Sequence, residues 1–386
     1  MPNKKIKVFI IAGEVSGDAL GARIMQQMAD STEFVGIGGA AMCACGLRSL
    51  FPMSDLAVMG IIEVLQHART LKKRIADAVR AIIKERPDFV LTIDSPGFAR
   101  SVIEKLRNSA AGRELIANGL RFHHVVAPQV WAWRPGRAKK YAKTFDKLYA
   151  FFDFEVPYFT KYGLDTIAVG HPIAENIMEM QDLRPAPCDE KIITLVPGSR
   201  LSEVKKLMPV FRSVAETINS CGYIDYKFAI PVVETTAEYV KNAIQDWTIR
   251  PKLIDASDRY NLYRQTYVAI VASGTVSAEL AMLHVPAIVV YKMNRITTLI
   301  GHLLIRVRWV SLVNILLNRS VYPEFLGEKA TAENILGALD NMILPANRTR
   351  MISELRSADD MWVRSGVYAS KLIADDILQE KQMAKD

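Results

Sequence analysis

The chain reads as an α/β protein made of two doubly wound, Rossmann-like domains facing a central cleft, and three observations predict this. Short apolar runs of strand composition alternate with longer amphipathic stretches. The alternation breaks at DLRPAPCDE (Asp182–Glu190), where Pro185 and Pro187 mark a linker, and then restarts. Nearly every apolar run also empties into a turn of small or polar residues: AGEVSGD, DSPG, APQVWAW, GHP, PGSR, SGT. Strands alternating with helices imply parallel sheets with both faces covered. In such sheets ligands bind beyond the carboxyl ends of the strands, where all these turns fall.

In order, Lys7–Ala12 is the first strand, and AGEVSGD turns it into a helix starting near Ala19, with Asp18 or Ser16 as its cap. Phe34–Gly39 is the second strand. Its glycines do not form G-x-G-x-x-G, and no ribose acid follows, which disfavours a nicotinamide enzyme. Leu56–Ile83 is helical. Strands follow at Asp88–Ile93, Arg121–Val126, Lys147–Phe152 and Thr166–Val169, the last running into Gly170-His171-Pro172. After the linker come strands at Lys191–Val196, Lys227–Ile230, Pro251–Ile254, Tyr267–Ala272 and Ala287–Tyr291, then only helix beyond Ala346. The expected domains are 1–182, 183–346 and a helical tail 347–386 that could pack back on the first domain or on a partner chain.

Length and composition bound the function. The chain has 386 residues, half of them hydrophobic and 23% charged, so it can bury sizeable cores. A formal net charge of +8 favours anionic partners. No basic run interleaves with aromatics in the manner of a nucleic-acid surface, so no nucleic-acid partner is expected. Cys43, Cys45, Cys188 and Cys221 show no ligand spacing, which argues against structural zinc and fits a reducing cytoplasm. VFIIAG is too short for a signal segment. Ile296–Leu317, the most apolar long stretch, is interrupted by His302, Arg306 and Arg308 and should not span a bilayer.

Three turns carry chemistry. Ser273-Gly274-Thr275, between a strand and a helix start, can offer N–H groups and a positive dipole end to a phosphate. Glu279, one turn on, can accept from the two hydroxyls of a ribose; the alternative is an ordinary capped turn with Glu279 on a solvated face. Gly198-Ser199-Arg200 can hold a diphosphate, with the Arg200 fork matching its oxygens. The alternative there is a surface cation after a turn. Asp94 closes a strand before Ser95-Pro96, and its alternative is an Asx turn.

GEVSGD, VGIGG, IDSPGF, APQVWAWRPGR, VGHP, LVPGSR and SGTVSAELA occur in this order, and together they resemble the lipid-A-disaccharide synthase family, from about Val8 to Glu324. PGSR and SGTVSAELA alone would indicate only a GT-B glycosyltransferase. AGEVSGD, APQVWAWR and VSLVN narrow the resemblance to this family. It implies a GT-B fold and an inverting transfer from UDP-diacylglucosamine to the 6-hydroxyl of diacylglucosamine 1-phosphate. Neither a metal nor another cofactor is implied.

The resemblance makes Asp94 the candidate general base, with Glu14 and Ser16 a second pair on the acceptor side. Gly198, Ser199, Arg200, Ser273, Gly274, Thr275 and Glu279 fall on the donor side, where the family also places Asn314 and Glu324. Two positions depart from its pattern: Val313 stands where a proline usually precedes the asparagine, and Gly327 where a glutamine usually follows the PE motif. His171 is left without a role. The acyl chains call for an apolar surface. Met59, Ile61, Ile62, Val64 and Leu65 with Arg69, Lys72, Lys73 and Arg74 could lie on an anionic membrane, although a core-facing helix with a basic end reads the same way. The expected place is the cytoplasmic face of the inner membrane; oligomeric state has no signal. The rivals are another GT-B enzyme, such as a UDP-N-acetylglucosamine 2-epimerase, and a non-catalytic sugar-nucleotide-binding module.

Overall fold

The computed structural model describes residues 5–56, 61–178, 190–221, 225–292, 308–364 and 366–384, without the side chains of 61–68. Two compact units emerge: Met1–Pro172 with Val363–Asp386, and Ile173–Trp362.

In the first unit β1 (Ile6–Ala12), α1 (Val15–Gln27), β2 (Thr32–Ile37), α2 (Ala40–Ala44) and α3 (Ile61–Glu85) lead to β3 (Phe89–Ile93). Then come α4 (Pro96–Asn108), α5 (Ala110–Ala117), β4 (Arg121–Val125), α6 (Arg137–Thr144), β5 (Lys147–Ala150), α7 (Pro157–Thr160) and β6 (Asp165–Ala168). All six strands pair in parallel in the order β2-β1-β3-β4-β5-β6. β-Branched and aromatic residues bury both faces, which is why these strands read as nearly unbroken apolar runs. One face packs on residues of α3 to α7, such as Ile82, Val102, Leu115, Tyr141 and Phe159. The other packs on Leu20 and Ile24 of α1.

The second unit runs α8 (Ile173–Met178), β7 (Lys191–Val196), α9 (Leu201–Ser220), β8 (Tyr226–Val232), α10 (Glu234–Ala243) and β9 (Lys252–Asp255). α11 (Arg259–Gln265), β10 (Thr266–Ala272), α12 (Thr275–Met282), β11 (Ala287–Tyr291), α13 (Leu312–Leu317) and β12 (Glu324–Leu326) follow, then α14 (Ala332–Met342), α15 (Pro345–Arg356) and α16 (Asp359–Trp362). Its six strands are also parallel, in the order β12-β11-β10-β7-β8-β9.

The tail divides between the units. α15 and α16 belong to the second, whereas α17 (Ala369–Met383) returns to the first and packs beside α1. Ile373 and Ile377 of α17 enter the core. Asp376 accepts from Lys147 Nζ and Tyr149 Oη, each at 2.8 Å, and Lys381 reaches Asp88 at 2.6 Å.

Each sheet has one point where the chain changes its direction of travel. In the first it lies between β1 and β3, in the second between β7 and β10. Such switch points open a crevice at the carboxyl ends of the two strands. The turns there are Gly13-Glu14 with Asp94-Ser95, and Pro197–Arg200 with Ser273–Thr275.

Candidate active site residues

At the first switch point β1 ends at Ala12, and a Cβ on Gly13 would lie 1.8 Å from Ser95 Oγ. Only glycine lets the two turns touch. Glu14 and Ser16 are exposed at the start of α1. Asp18, 4% exposed, caps a different helix from the one expected: its carboxylate accepts from the N–H groups of Gly39 (2.7 Å), Ala41 (2.9 Å) and Met42 (3.1 Å) at the start of α2.

Asp94 and Ser95 are consecutive non-glycine residues with positive φ, 54° and 44°. Backbone strain of this kind persists where surrounding structure over-determines it. Asp94 N–H donates to Val125 O (3.2 Å), and Oδ1 accepts from Ser95 N–H (2.8 Å). An Asx turn is excluded, because the residue two on, whose N–H it needs, is Pro96, which has none. Among the described residues Asp94 Oδ2 has no hydrogen-bond partner.

At the second switch point Gly198 has φ 102°, and a Cβ there would come 2.8 Å from Glu203 Oε2. Ser199 and Arg200 are exposed. Arg200 occupies the N-cap position of α9, with Nη1 3.1 Å from Glu203 Oε1. Ser273 N–H is committed to the sheet, donating to Val290 O (3.0 Å). That leaves its hydroxyl, with Gly274 and Thr275 at the start of α12, which has no side-chain cap.

Glu279 is 5% exposed and not on a solvated face. Its Oε1 accepts from Tyr260 Oη (2.8 Å) and Arg259 Nη2 (3.2 Å), and its Oε2 from Arg259 Nε (3.4 Å). Burial pushes the Tyr260 phenol up to about 12, so it acts as a donor. Sequence reasoning missed Arg259 and Tyr260. They lie 20 and 19 residues upstream in a commonplace helix start, and only the fold brings them to the carboxylate.

Asn314 is fully buried. Oδ1 accepts from Val321 N–H (2.8 Å) and Tyr322 N–H (2.9 Å), while Nδ2 donates to Tyr322 O and Glu324 Oε1, both at 2.8 Å. Glu324 also accepts from the N–H groups of Val310 and Ser311, each at 2.9 Å. The pair thus fastens the segment 310–324, with the amide of Asn314 fully used. Val313 is buried in the first turn of α13, and Gly327 has φ 60°, a conformation in which a glutamine would be strained.

Met59 lies outside the described residues, as do the side chains of Ile61, Ile62 and Leu65, whose backbone opens α3. Arg69, Lys72 and Lys73 are exposed on that helix, whereas Arg74 is tied to Asp55 at 2.7 Å. Trp131 donates to Glu155 (3.2 Å) and packs on Phe154, but Trp133 is 39% exposed with the Arg134 guanidinium 4.4 Å from its ring centre. His171 sits against Phe151 and Phe152.

The lipid-A-disaccharide synthetase family model matches residues 8–362. The lipid-A-disaccharide synthase of Rhodospirillum centenum is 39% identical over 388 residues, covering 97% of this chain and 94% of that protein. The one from Gluconobacter oxydans is 38% identical over 87% of this chain and 81% of its own length. Among solved structures, Staphylococcus aureus MnaA with UDP aligns with a TM-score of 0.64 at 14% identity, over 99% of this chain and 98% of that one. Acinetobacter baumannii MurG aligns at 0.60 and 13%, over 97% and 99%. At these identities the likeness is one of fold, the GT-B arrangement of two parallel α/β units.

Proposed function

The chain belongs to the lipid-A-disaccharide synthase family, and from this premise we propose that it condenses UDP-2,3-diacylglucosamine with 2,3-diacylglucosamine 1-phosphate. The products are the β-1,6-linked lipid A disaccharide 1-phosphate and UDP. The observation that carries the reading is the family match along residues 8–362, with the family's turns at both switch points.

In this proposal Asp94 is the general base. Its Oδ2 takes the proton of the acceptor 6-hydroxyl while that oxygen attacks the anomeric carbon from the face opposite UDP, inverting the centre. The O6–C1 bond forms as the C1–O bond to the diphosphate breaks, and UDP leaves with the electron pair. Charge gathers on the diphosphate in the transition state, so fixed donors there lower the barrier. Arg200, Gly198 and Ser199 serve this role with the start of α12 at Gly274 and Thr275 and the Ser273 hydroxyl. Glu279, oriented by Arg259 and Tyr260, accepts from the ribose hydroxyls. Glu14 and Ser16 contact the acceptor. Asn314 and Glu324 act on the donor side by fixing segment 310–324.

The substrates carry fatty chains, and no helix among the described residues is long and apolar enough to cross a membrane. We place the protein on the anionic cytoplasmic face of the inner membrane, held by Arg69, Lys72 and Lys73 beside the opening turns of α3.

The test is a product assay. Purified protein receives both acylated substrates in detergent, and lipids and nucleotides are read by mass spectrometry. A tetraacyl disaccharide 1-phosphate with matching UDP is expected. Conversion of UDP-N-acetylglucosamine in a parallel tube, with no disaccharide, would replace this reading with an epimerase.

A further inference from the structure

The start of α6 is electrostatically anomalous. Gly136 holds the N-cap position without a side-chain cap, Arg137 is the first helical residue, Lys139 and Lys140 follow, and the first turn contains no carboxylate. Cations at a helix N-terminus oppose the helix dipole, and an anion there would relieve both.

A second, independent feature lies one turn further on. Tyr141 follows Arg137 by four residues and so shares its face of the helix. It is 5% exposed, walled by the rings of Phe145, His124 and Phe159 at 5.3, 5.4 and 6.2 Å. Its hydroxyl is buried and, apart from a contact with the Arg137 side chain that leaves the O–H donor unused, has no aligned hydrogen-bond partner among the described residues. An unmade bond at a buried polar group is costly and calls for an explanation.

The charges acting on that hydroxyl are Arg137, Asp94 and Arg100. Arg100 comes from α4, which packs on α6. Its Nε is buried, 3.1 Å from Glu104 Oε1 but without an aligned hydrogen bond. Burial raises the phenol to about 12, so Tyr141 remains an O–H donor at any physiological pH. Two guanidiniums and a phenol donor thus gather beside the strained Asp94 turn, all within the first unit.

We propose that Arg137, Arg100 and Tyr141 form the subsite that takes the phosphomonoester of the acceptor. This rests on the activity proposed above. The acceptor carries its phosphate at C1 and its nucleophile at C6, opposite ends of one sugar. Seating the phosphate on the guanidinium forks, whose geometry matches its oxygens, sets the sugar so that its 6-hydroxyl meets Asp94. Selectivity for a phosphorylated acceptor is the consequence.

The experiment compares kcat/KM for diacylglucosamine 1-phosphate and for unphosphorylated diacylglucosamine, each with UDP-diacylglucosamine. The parent should prefer the phosphorylated acceptor. Arg137→Gln should lower that preference about 10- to 100-fold, mainly through KM, and Arg137→Lys should restore part of it. Tyr141→Phe, which keeps the packing, should lower it about fivefold. UDP affinity by calorimetry should stay at the parent value and reports folded protein. A parent without preference, or variants that lose equally on both acceptors, would overturn the subsite while leaving the activity standing. A parent that makes no disaccharide from either acceptor would overturn the activity itself, and the subsite with it.

Discussion

Asp94 at the first switch point and Glu279 at the second are carboxylates that the structure treats in opposite ways. Glu279 is buried and gripped by three donors, one from Tyr260 and two from Arg259. Asp94 sits in strained backbone with a single local bond, and Oδ2 is without a partner among the described residues. A carboxylate that only recognises a ligand gains from being fixed beforehand, since its ordering entropy is then lost on folding and not on binding. A carboxylate that must take a proton needs an oxygen left open to it. On the roles proposed above, Glu279 would recognise and Asp94 would react.

The sharpest way to break that contrast is Asp94→Asn. Turnover should fall about 10²–10⁴-fold, while UDP affinity measured by calorimetry stays at the parent value. Asparagine keeps the acceptor for Ser95 N–H, so the turn survives and the loss reports the missing base. Near-parent turnover would remove Asp94 from that role and leave its strain unexplained.

Glu279→Gln tests the other half. UDP affinity should weaken about tenfold, the scale of one charge-assisted bond in a partly wet site. The parent should bind UDP better than 2′-deoxy-UDP, and the variant should discriminate less. The variant should also melt lower, because Arg259 would keep a half-buried charge without its partner. Unchanged discrimination between the two nucleotides would return Glu279 to a purely structural role.

Much of this arrangement was legible in the sequence, and the failures have a common cause. Strands at Lys191–Val196 and Ala287–Tyr291 match the expected bounds residue for residue, because a strand covered on both faces is apolar over most of its length. β12, three residues beginning at Glu324, gave no periodic signal, and it exists because it can add to the edge of β11. The turns at the switch points were visible as small-residue clusters. Their partners were not: Asp18 caps a helix more than twenty residues away, Arg259 reaches back to Glu279, and Asn314 exhausts its amide on its own loop. Residue type shows what a side chain can bond to, and the fold decides which partner arrives.

The same distinction between committed and open groups has a smaller, measurable consequence in the body of the first sheet. His124 on β4 is fully buried, with Nδ1 2.6 Å from Thr92 Oγ1 and its ring stacked on Phe145 at 4.5 Å. Burial pushes its pKa down to about 3 from 6.5. Between those values the unfolded chain holds a proton that the folded chain refuses, so the stability is complete above pH 6.5 and is lost as pH falls through the window. Glu155, beneath Trp131, opposes it: burial raises its pKa from 4.5 to about 7, which costs stability as pH rises across that range. From pH 4.5 to 6.5 these two slopes oppose each other, and His171, pushed by burial from 6.5 down to about 4, adds a third in the sense of His124, so a bare pH profile would resolve none of them. Urea melts of the parent and of His124→Gln, taken at matched pH, isolate the histidine. The stability difference between them should change by about 1.4 kcal/mol per pH unit between pH 6 and 4, always to the parent's disadvantage as acid is added. A difference that stays flat over those two units would mean the imidazole accepts its proton inside the fold, and that the core around Phe145 is wetter than its packing implies.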